Sequence, residues 1–125
     1  MNTDEKVKYW IDLSDYDRTT AEAMLEMKRF LYVGIICHQS IEKLLKALFV
    51  HVTQAQPPRT HNLTRLARKG KIYDDLSDHQ KDFLDLLEPL NIEARYPTHK
   101  EKLLKTLDEP RCTEILFKTR SYPHG

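Results

Sequence analysis

Arg95 and His99 are the residues of this sequence best suited to phosphate chemistry, because they lie four positions apart beside a predicted helix start. A guanidinium is a permanent cation that binds phosphate oxygens, and an imidazole exchanges a proton near neutral pH. Tyr96 and Pro97 follow the arginine, and the proline cannot continue a helix. Thr98 is predicted to cap the next helix, which places His99 at a helix entrance where backbone N–H groups attract anions. The segment is therefore a candidate nucleotide or RNA contact.

Each of these side chains also has a structural alternative. Arg95 suits planar pairing with a carboxylate, such as that of Glu93 or Glu42, as well as it suits phosphate. His99 is disfavoured as an imidazolium at a helix N-terminus, so a plain surface role is open. Tyr96 could stack on a base, whereas packing against a neighbouring helix is the more common role of such a tyrosine.

A second group of candidates lies in residues 59–71, a basic segment without an acidic residue. Residues 74–88 carry six acids against Lys81 alone, so the net charge of +1 conceals a basic region beside an acidic one. One interpretation is that these regions are two complementary solvated faces. The other is a functional one, in which they form a phosphate-binding patch or a charge match across a dimer. His61 could bind phosphate with the arginines or cap a helix with Asn62. The candidate phosphate ligands here are Arg59, His61, Arg65, Arg68 and Lys69.

The strongest helical pattern contains a polar line beside its apolar face. His38, Glu42 and Lys46 recur at four-residue spacing, and Lys43 lies beside them as a further candidate phosphate ligand. A histidine and a glutamate at this spacing can act as an acid–base couple. The more common role is a surface pair that stabilises the helix by roughly 0.2–0.5 kcal/mol, and this interpretation is favoured.

Composition excludes several other classes of function. A net charge of +1 excludes a uniformly basic nucleic-acid coat. Cys37 and Cys112 lie far apart in apolar surroundings and are predicted to be buried free thiols, while the six histidines are scattered, so no metal and no other cofactor is predicted. Because no segment has the pattern of a signal peptide or a membrane span, a cytoplasmic protein without membrane contact is expected.

The elements that must position these residues are predicted to be helices. Only three glycines occur, and apolar residues recur at three- and four-residue steps. The sequence therefore predicts an all-α, up-and-down four-helix bundle with one or two short accessory helices. Residues 1–120 are expected to form a single domain, with residues 121–125 as a frayed tail. The predicted helices are Thr3–Lys28, Tyr32–Val52, His61–Lys69, one from Ser77, one from near His99, and one from Asp108 to about Thr119.

Buried faces and helix ends are predicted as well. Spacing assigns Ile11 and Ser14 to the inner face of the first helix, and Cys37, Ile41 and Val52 to that of the second. The predicted N-caps are Thr60, Ser77 with Gln80, Thr98 with Glu101, and Asp108, and Gly70 is the predicted stop of the short helix.

Three segments together resemble a known family. His38–Leu48 looks like the second helix of HEPN domains (higher eukaryotes and prokaryotes nucleotide-binding). Thr60–Leu63 resembles the Thr-His-Asn-Leu that begins the short third helix of this family. Ala94–Pro97 resembles the Ala-Arg-Tyr-Pro of one group of its members. The segments occur in family order, and the resemblance covers about residues 5–120. It implies a bundle of four or five helices that usually dimerises.

The resemblance also carries functional implications. Many prokaryotic members are encoded beside a minimal nucleotidyltransferase and act with it as a toxin–antitoxin-like pair. Several are metal-independent ribonucleases. In these proteins each of two chains contributes an arginine and a histidine, separated by four to six residues, to a shared cleft. Arg95 corresponds to the motif arginine and His99 matches loosely, since only three residues separate them. The His-x-Tyr adenylylation site of some members is absent from the sequence.

The sequence therefore favours a homodimeric nucleotide- or RNA-binding component of a minimal nucleotidyltransferase/HEPN module over an enzyme. One alternative is a metal-independent endoribonuclease, with His99 as general acid or base and Arg95 stabilising the transition state. The other is a structural helical dimer whose charges set the pairing with a partner.

Overall fold

The computed structural model describes residues 1–93 and 97–122, and within them the side chains of residues 1–91 and 101–122. These ranges contain helices and no β-strand, which confirms the predicted all-α class. The α-helices are Thr3–Glu26 (α1), Phe30–Thr53 (α2), Leu63–Lys69 (α3), Asp78–Glu93 (α4), Pro97–Thr106 (α5) and Glu109–Ser121 (α6), with a 3-10 helix at Tyr73–Asp75.

The four long helices α1, α2, α4 and α6 form the predicted up-and-down bundle. A tight turn containing Lys28, whose φ is 59°, joins α1 to α2. The start of α2 packs on the end of α4, since a Cβ on Gly34 would lie 3.1 Å from the Leu90 side chain. The start of α4 packs on the end of α6, where the rings of Phe83 and Tyr122 lie 6.0 Å apart. Successive long helices therefore run antiparallel.

The central helix is α2, which contacts each of the other five α-helices. Cys37 and Ile41 are buried as predicted, whereas Val52 (49% exposed) and Ile11 (39% exposed) are not, so those two predictions are wrong. A prediction from periodicity assigns one buried face to each helix. In the structure, α2 is covered on several sides, whereas α1 packs mainly against α2. Burial on α2 therefore extends to three polar residues, His38, Ser40 and Glu42.

Two serines join α1 to α2 inside the bundle. Ser14 Oγ donates to the carbonyl oxygen of Ser40 at 2.7 Å, and Ser40 Oγ donates to that of Ser14 at 2.8 Å. The exchange satisfies both buried hydroxyl groups and allows the two helix backbones to lie close together.

Three predicted helix ends are confirmed. Ser77 and Gln80 form a reciprocal capping box, in which Gln80 N donates to Ser77 Oγ at 3.1 Å and Ser77 N donates to Gln80 Oε1 at 2.8 Å. Asp108 caps α6 by accepting from the backbone N–H of Arg111 at 2.9 Å. Gly70 terminates α3.

Two predicted helix starts are wrong. Asn62, rather than Thr60, caps α3, because Thr60 Oγ1 accepts from the backbone N–H of Asn62 and so forms the turn before the cap. Helix α5 begins at Pro97, one residue before the predicted cap Thr98. Proline has a φ already suited to the first helical position, so His99 lies further into the first turn than predicted.

Both cysteines are buried free thiols, as predicted. Burial raises the pKa of Cys37 to about 11 and that of Cys112 to about 12, so both remain protonated at neutral pH.

The C-terminal residues differ in part from the predicted frayed tail. Ser121 ends α6 and Tyr122 is buried against Phe83, so these two positions belong to the helical body. Residues 123–125 lie outside the described ranges. In the described chain, no helix is both long enough and apolar enough to cross a bilayer.

Candidate functional site

The candidate phosphate ligands of α3 occupy its solvent side. Leu63, Leu66 and Ala67 turn inward and are fully buried, which leaves the cationic residues between them facing water. In the described part of the chain, none of these cations forms an ion pair with a carboxylate. We call the exposed set the basic face of α3, and it consists of Arg59 in the preceding loop with Arg65, Arg68 and Lys69.

The Thr-His-Asn-Leu segment fixes the start of α3. Asn62 Oδ1 accepts from the backbone N–H of Arg65 at 2.8 Å, which satisfies a helix-end donor. The fully buried Leu63 donates its backbone N–H to Glu88 Oε2 on α4 at 2.8 Å. His61 bonds to Glu42 on α2. These contacts tie α3 to two long helices and hold its basic face outward.

Glu42 is the central acceptor beneath this segment. Its side chain is 8% exposed, and Oε1 lies 2.9 Å from His61 Nδ1 while Oε2 accepts from Lys46 Nζ at 3.1 Å. Because a carboxylate only accepts, His61 Nδ1 must carry the proton of that bond. The His61 ring is 68% exposed, so it stands at the surface with one nitrogen committed to Glu42. Asn62 takes the capping role that was open for His61.

His38 is the buried end of the polar line on α2, formed by His38, Glu42 and Lys46. Its Nδ1 lies 4.0 Å from Glu42 Oε1, and among the described residues neither ring nitrogen has a hydrogen-bond partner. Burial lowers the pKa of His38 to about 4, against the opposing charge of Glu42, so the ring is neutral at pH 7. The favoured interpretation of His38 and Glu42 as a surface pair is therefore wrong, because α3 and its preceding loop cover this side of α2.

The two lysines of this region are already paired. Lys43 forms an ion pair with Asp17 on α1, so its role as a phosphate ligand stays a prediction and would require that pair to open. Lys46 lies between Glu42 and the ring of Trp10, with Nζ 5.3 Å from the ring centroid.

Glu88 provides a second, half-buried carboxylate near α3. Burial raises its pKa, the bond from the Leu63 N–H opposes that rise, and the charges of Glu42 and Asp85 add to it. In the residues that the structure describes, no group of three or more His, Cys, Asp or Glu side chains could hold a metal ion.

The pair that the sequence singled out first falls outside the described residues. Arg95 and Tyr96 lie between the end of α4 and the start of α5, and the side chain of His99 is likewise outside. Their assignment to a phosphate site, or to catalysis, stays a prediction.

Sequence reasoning missed the contact between Trp10 and Lys46 and the depth of Glu42. The next position at the same four-residue spacing is Val50, which is apolar and buried. This apolar residue in line with the polar ones was the sequence signal that another element covers this side of α2.

Comparison with known proteins agrees with this architecture. A family model, HEPN domain, matches residues 7–121. No curated protein and no solved structure gives a match. The match confirms the family resemblance, while the subgroup with Ala-Arg-Tyr-Pro stays a prediction. Since the model covers nearly the whole chain and the helical fold agrees, this chain belongs to the HEPN domain family, whose members have nucleotide- or RNA-related or toxin–antitoxin-type roles.

Proposed function

We propose that this chain is a homodimeric nucleotide- or RNA-binding component of a toxin–antitoxin-like module with a minimal nucleotidyltransferase. The observation that carries the binding role is the basic face of α3, four exposed cations on a firmly anchored segment that have no carboxylate partner among the described side chains. Family membership supports the same role.

Phosphate is the ligand that this surface suits. An exposed arginine that neutralises a phosphate releases counterions condensed on the phosphate chain, and its planar donors can bind two phosphate oxygens at once. Capping by Asn62 and the Leu63–Glu88 bond fix the helix that bears Arg65 and Lys69, so binding requires little ordering of the backbone.

The test is the salt dependence of binding. We expect fluorescence anisotropy of a labelled, unstructured RNA and of a labelled ATP to report affinity that falls as salt rises. Charge reversal in Arg65→Glu/Lys69→Glu should weaken RNA binding by more than about tenfold at low salt and reduce the slope against log salt by at least about 0.7 per cation.

The matched control is Lys118→Glu/Arg120→Glu, which changes the net charge equally. Both of its cations are paired in the structure, Lys118 with Glu114 and Arg120 with Glu22, so we expect a much smaller loss of affinity. Equal losses in the two variants, or binding that ignores salt, would argue against a phosphate-binding patch on α3.

The ribonuclease alternative gives a different result in the same samples. With a chelator present, a metal-independent ribonuclease would cleave the RNA, and Arg95→Ala or His99→Ala would stop the cleavage. The binding proposal expects intact RNA with wild type and both variants, as resolved on a denaturing gel.

The dimer and the partner need separate measurements. Sedimentation equilibrium should give twice the 14.8 kDa chain mass if the homodimer forms. Co-expression with a short nucleotidyltransferase encoded beside this chain should yield a co-purifying complex. A monomer at micromolar concentration, or failure to co-purify, would remove that part of the proposal and leave the binding role to the salt test.

A further inference from the structure

A small pocket lies between the start of α1 and the loop that follows α2. Its volume is about 200 Å³, and Tyr9 and Trp10 form two of its walls with Val50 beneath. The two rings are nearly perpendicular, at 80° with centroids 5.3 Å apart, so they form a corner. The other lining residues are Met1, Lys6, Gln56 and Pro57.

The size and lining of this pocket suit one planar, aromatic group. The volume is below the roughly 300–1,000 Å³ of sites for drug-sized ligands. Tyr9 is 48% exposed, so one ring is open for stacking. Gln56 offers an amide donor and an amide acceptor at the rim, which is the complement that the edge of a base requires.

Cations lie where the phosphates of such a ligand would run. Lys6 lines the pocket, and Arg59 of the basic face follows the lining residue Pro57 by two positions. Asp4 and Glu5 lie in the first turn of α1, where they interact favourably with the helix dipole and would repel phosphate. The chain of phosphates is therefore expected to leave on the Arg59 side, towards α3.

The pocket is also connected physically to the anchor of α3. Lys46, one turn before Val50 on α2, lies against the Trp10 ring and bonds to Glu42, which holds His61. The Trp10 ring is thus held by a cation, and a fixed ring loses little freedom when a base packs against it.

We propose that this pocket binds one unpaired base of single-stranded RNA or of a nucleotide, stacked on the Tyr9 ring with its edge against Trp10, and with the adjoining phosphates on the basic face of α3. The inference rests on the proposed nucleotide- or RNA-binding function and adds the site where the base lies. Stacking platforms beside cationic grooves are the usual means of binding single strands without sequence preference.

Trp10 is the only tryptophan of the chain and so reports on its own pocket. Titration with unstructured RNA should quench its fluorescence saturably, with the same apparent Kd as the anisotropy measurement. The same sequence as a duplex, whose bases are stacked inside the helix, should not quench. Free AMP and UMP form the second arm, in which quenching by mononucleotides indicates a nucleotide ligand and quenching by RNA alone indicates a polynucleotide.

The matched pair of variants is Tyr9→Ala and Tyr16→Ala. Both tyrosines are exposed on α1, but only Tyr9 lines the pocket. Loss of one stacking contact should weaken RNA binding about 5- to 150-fold in Tyr9→Ala, while Tyr16→Ala binds as wild type and Tyr9→Phe retains most of the affinity. Thermal unfolding followed by circular dichroism confirms that each variant is folded.

The outcomes separate this inference from the proposed function. Salt-dependent RNA binding without Trp10 quenching, or with equal affinity in Tyr9→Ala and wild type, overturns the pocket and leaves the basic face intact. Equal quenching by duplex RNA also overturns it. A shift of Trp10 emission with protein concentration alone means that a second copy covers the pocket, and this overturns it too. No binding of RNA or nucleotide at low salt removes the proposed function and the pocket together.

Discussion

The basic face of α3 and the polar line of α2 contain similar residues in opposite environments. On α2, Lys46 is 12% exposed and bonded to the buried Glu42. On α3, Arg65 and Lys69 are exposed, and in the described structure they have no carboxylate partner. The contrast shows that the position of a carboxylate, rather than the type of basic residue, decides which cations remain available for phosphate.

The position of the basic face also depends on the polar line. Glu42 holds His61 from below, and His61 begins the segment that presents the basic face. A buried ion pair contributes little net stability, but losing one partner leaves the other charge uncompensated. The polar line therefore positions the basic face.

The largest expected effect is the loss of the Glu42 carboxylate. Glu42→Gln should reduce the free energy of unfolding by about 3 kcal/mol, because Lys46 loses its counterion and His61 loses its carboxylate acceptor while the shape is kept. The value lies at the low end for buried pairs, since Lys46 keeps its contact with Trp10 and can extend towards water. Urea unfolding followed by circular dichroism measures the change.

The double variant Glu42→Gln/Lys46→Met sharpens the same test. Removing the orphaned ammonium should recover most of the lost stability, as replacement of a buried pair by apolar groups often does. Glu114→Gln is the control, because Glu114 pairs with Lys118 at the surface, and no measurable change is expected. If Glu42→Gln unfolds at the wild-type urea concentration, the polar line does not anchor α3.

The next effect is a loss of stability as pH falls, caused by the buried ring of His38. Its pKa is about 4 when folded and near 6.5 when unfolded, so the unfolded chain binds more protons between these values. Above pH 6.5 this ring adds no pH dependence to the free energy of unfolding. As the pH falls from 6.5 to 4, the free energy of unfolding decreases by roughly 3 kcal/mol in total. Glu88, whose pKa is raised, acts weakly in the opposite direction in the lower part of this window.

His38→Leu should flatten this dependence, and His79→Gln is its control. His79 is exposed on α4, so its replacement should leave the curve of unfolding free energy against pH unchanged. A His38→Leu curve as steep as that of the wild type between pH 6.5 and 4 would assign the acid sensitivity to other groups.

The fold was predictable from sequence because helix type depends on local signals. Spacing gave the four long helices, and the Ser77–Gln80 box and the Asp108 cap fixed two helix starts through bonds within one turn. Where the prediction failed, at Val52 and in the surface placement of Glu42, the answer depended on which elements far along the chain cover α2. Periodicity measures one face of a helix and contains no information about how many neighbours surround it.

The candidate site was predictable only as a set of residues. The sequence identified Arg65 and Lys69 as candidate phosphate ligands, and the structure adds that both are exposed and that their helix is anchored. Availability could not be read from sequence, since Lys43 was an equal candidate and is paired with Asp17, 26 positions away. Charge pairing between distant helices is a tertiary property.

A smaller effect distinguishes the two possible caps of α3. Asn62→Ala should lower the free energy of unfolding by about 1 kcal/mol, because the backbone N–H of Arg65 loses its acceptor. Thr60→Ala should cost less, since Thr60 bonds only to the N–H of Asn62 in the preceding turn. We also expect Asn62→Ala to weaken RNA binding without any change of charge. The reverse order of stability in urea would restore Thr60 as the cap.

The smallest effect separates Arg68 from Arg65 on the basic face itself. The guanidinium of Arg68 lies 4.2 Å from the centroid of the Tyr73 ring, so Arg68→Ala should cost about 0.5–1 kcal/mol of stability, whereas Arg65→Ala should cost nothing measurable. Stacking on a ring occupies the face of the guanidinium and leaves its N–H edge free, so both variants should weaken RNA binding to a similar degree. Anisotropy and urea unfolding on the two proteins test this. If Arg68→Ala binds RNA as wild type does, the Tyr73 contact withdraws Arg68 from phosphate, and the available part of the face reduces to Arg59, Arg65 and Lys69.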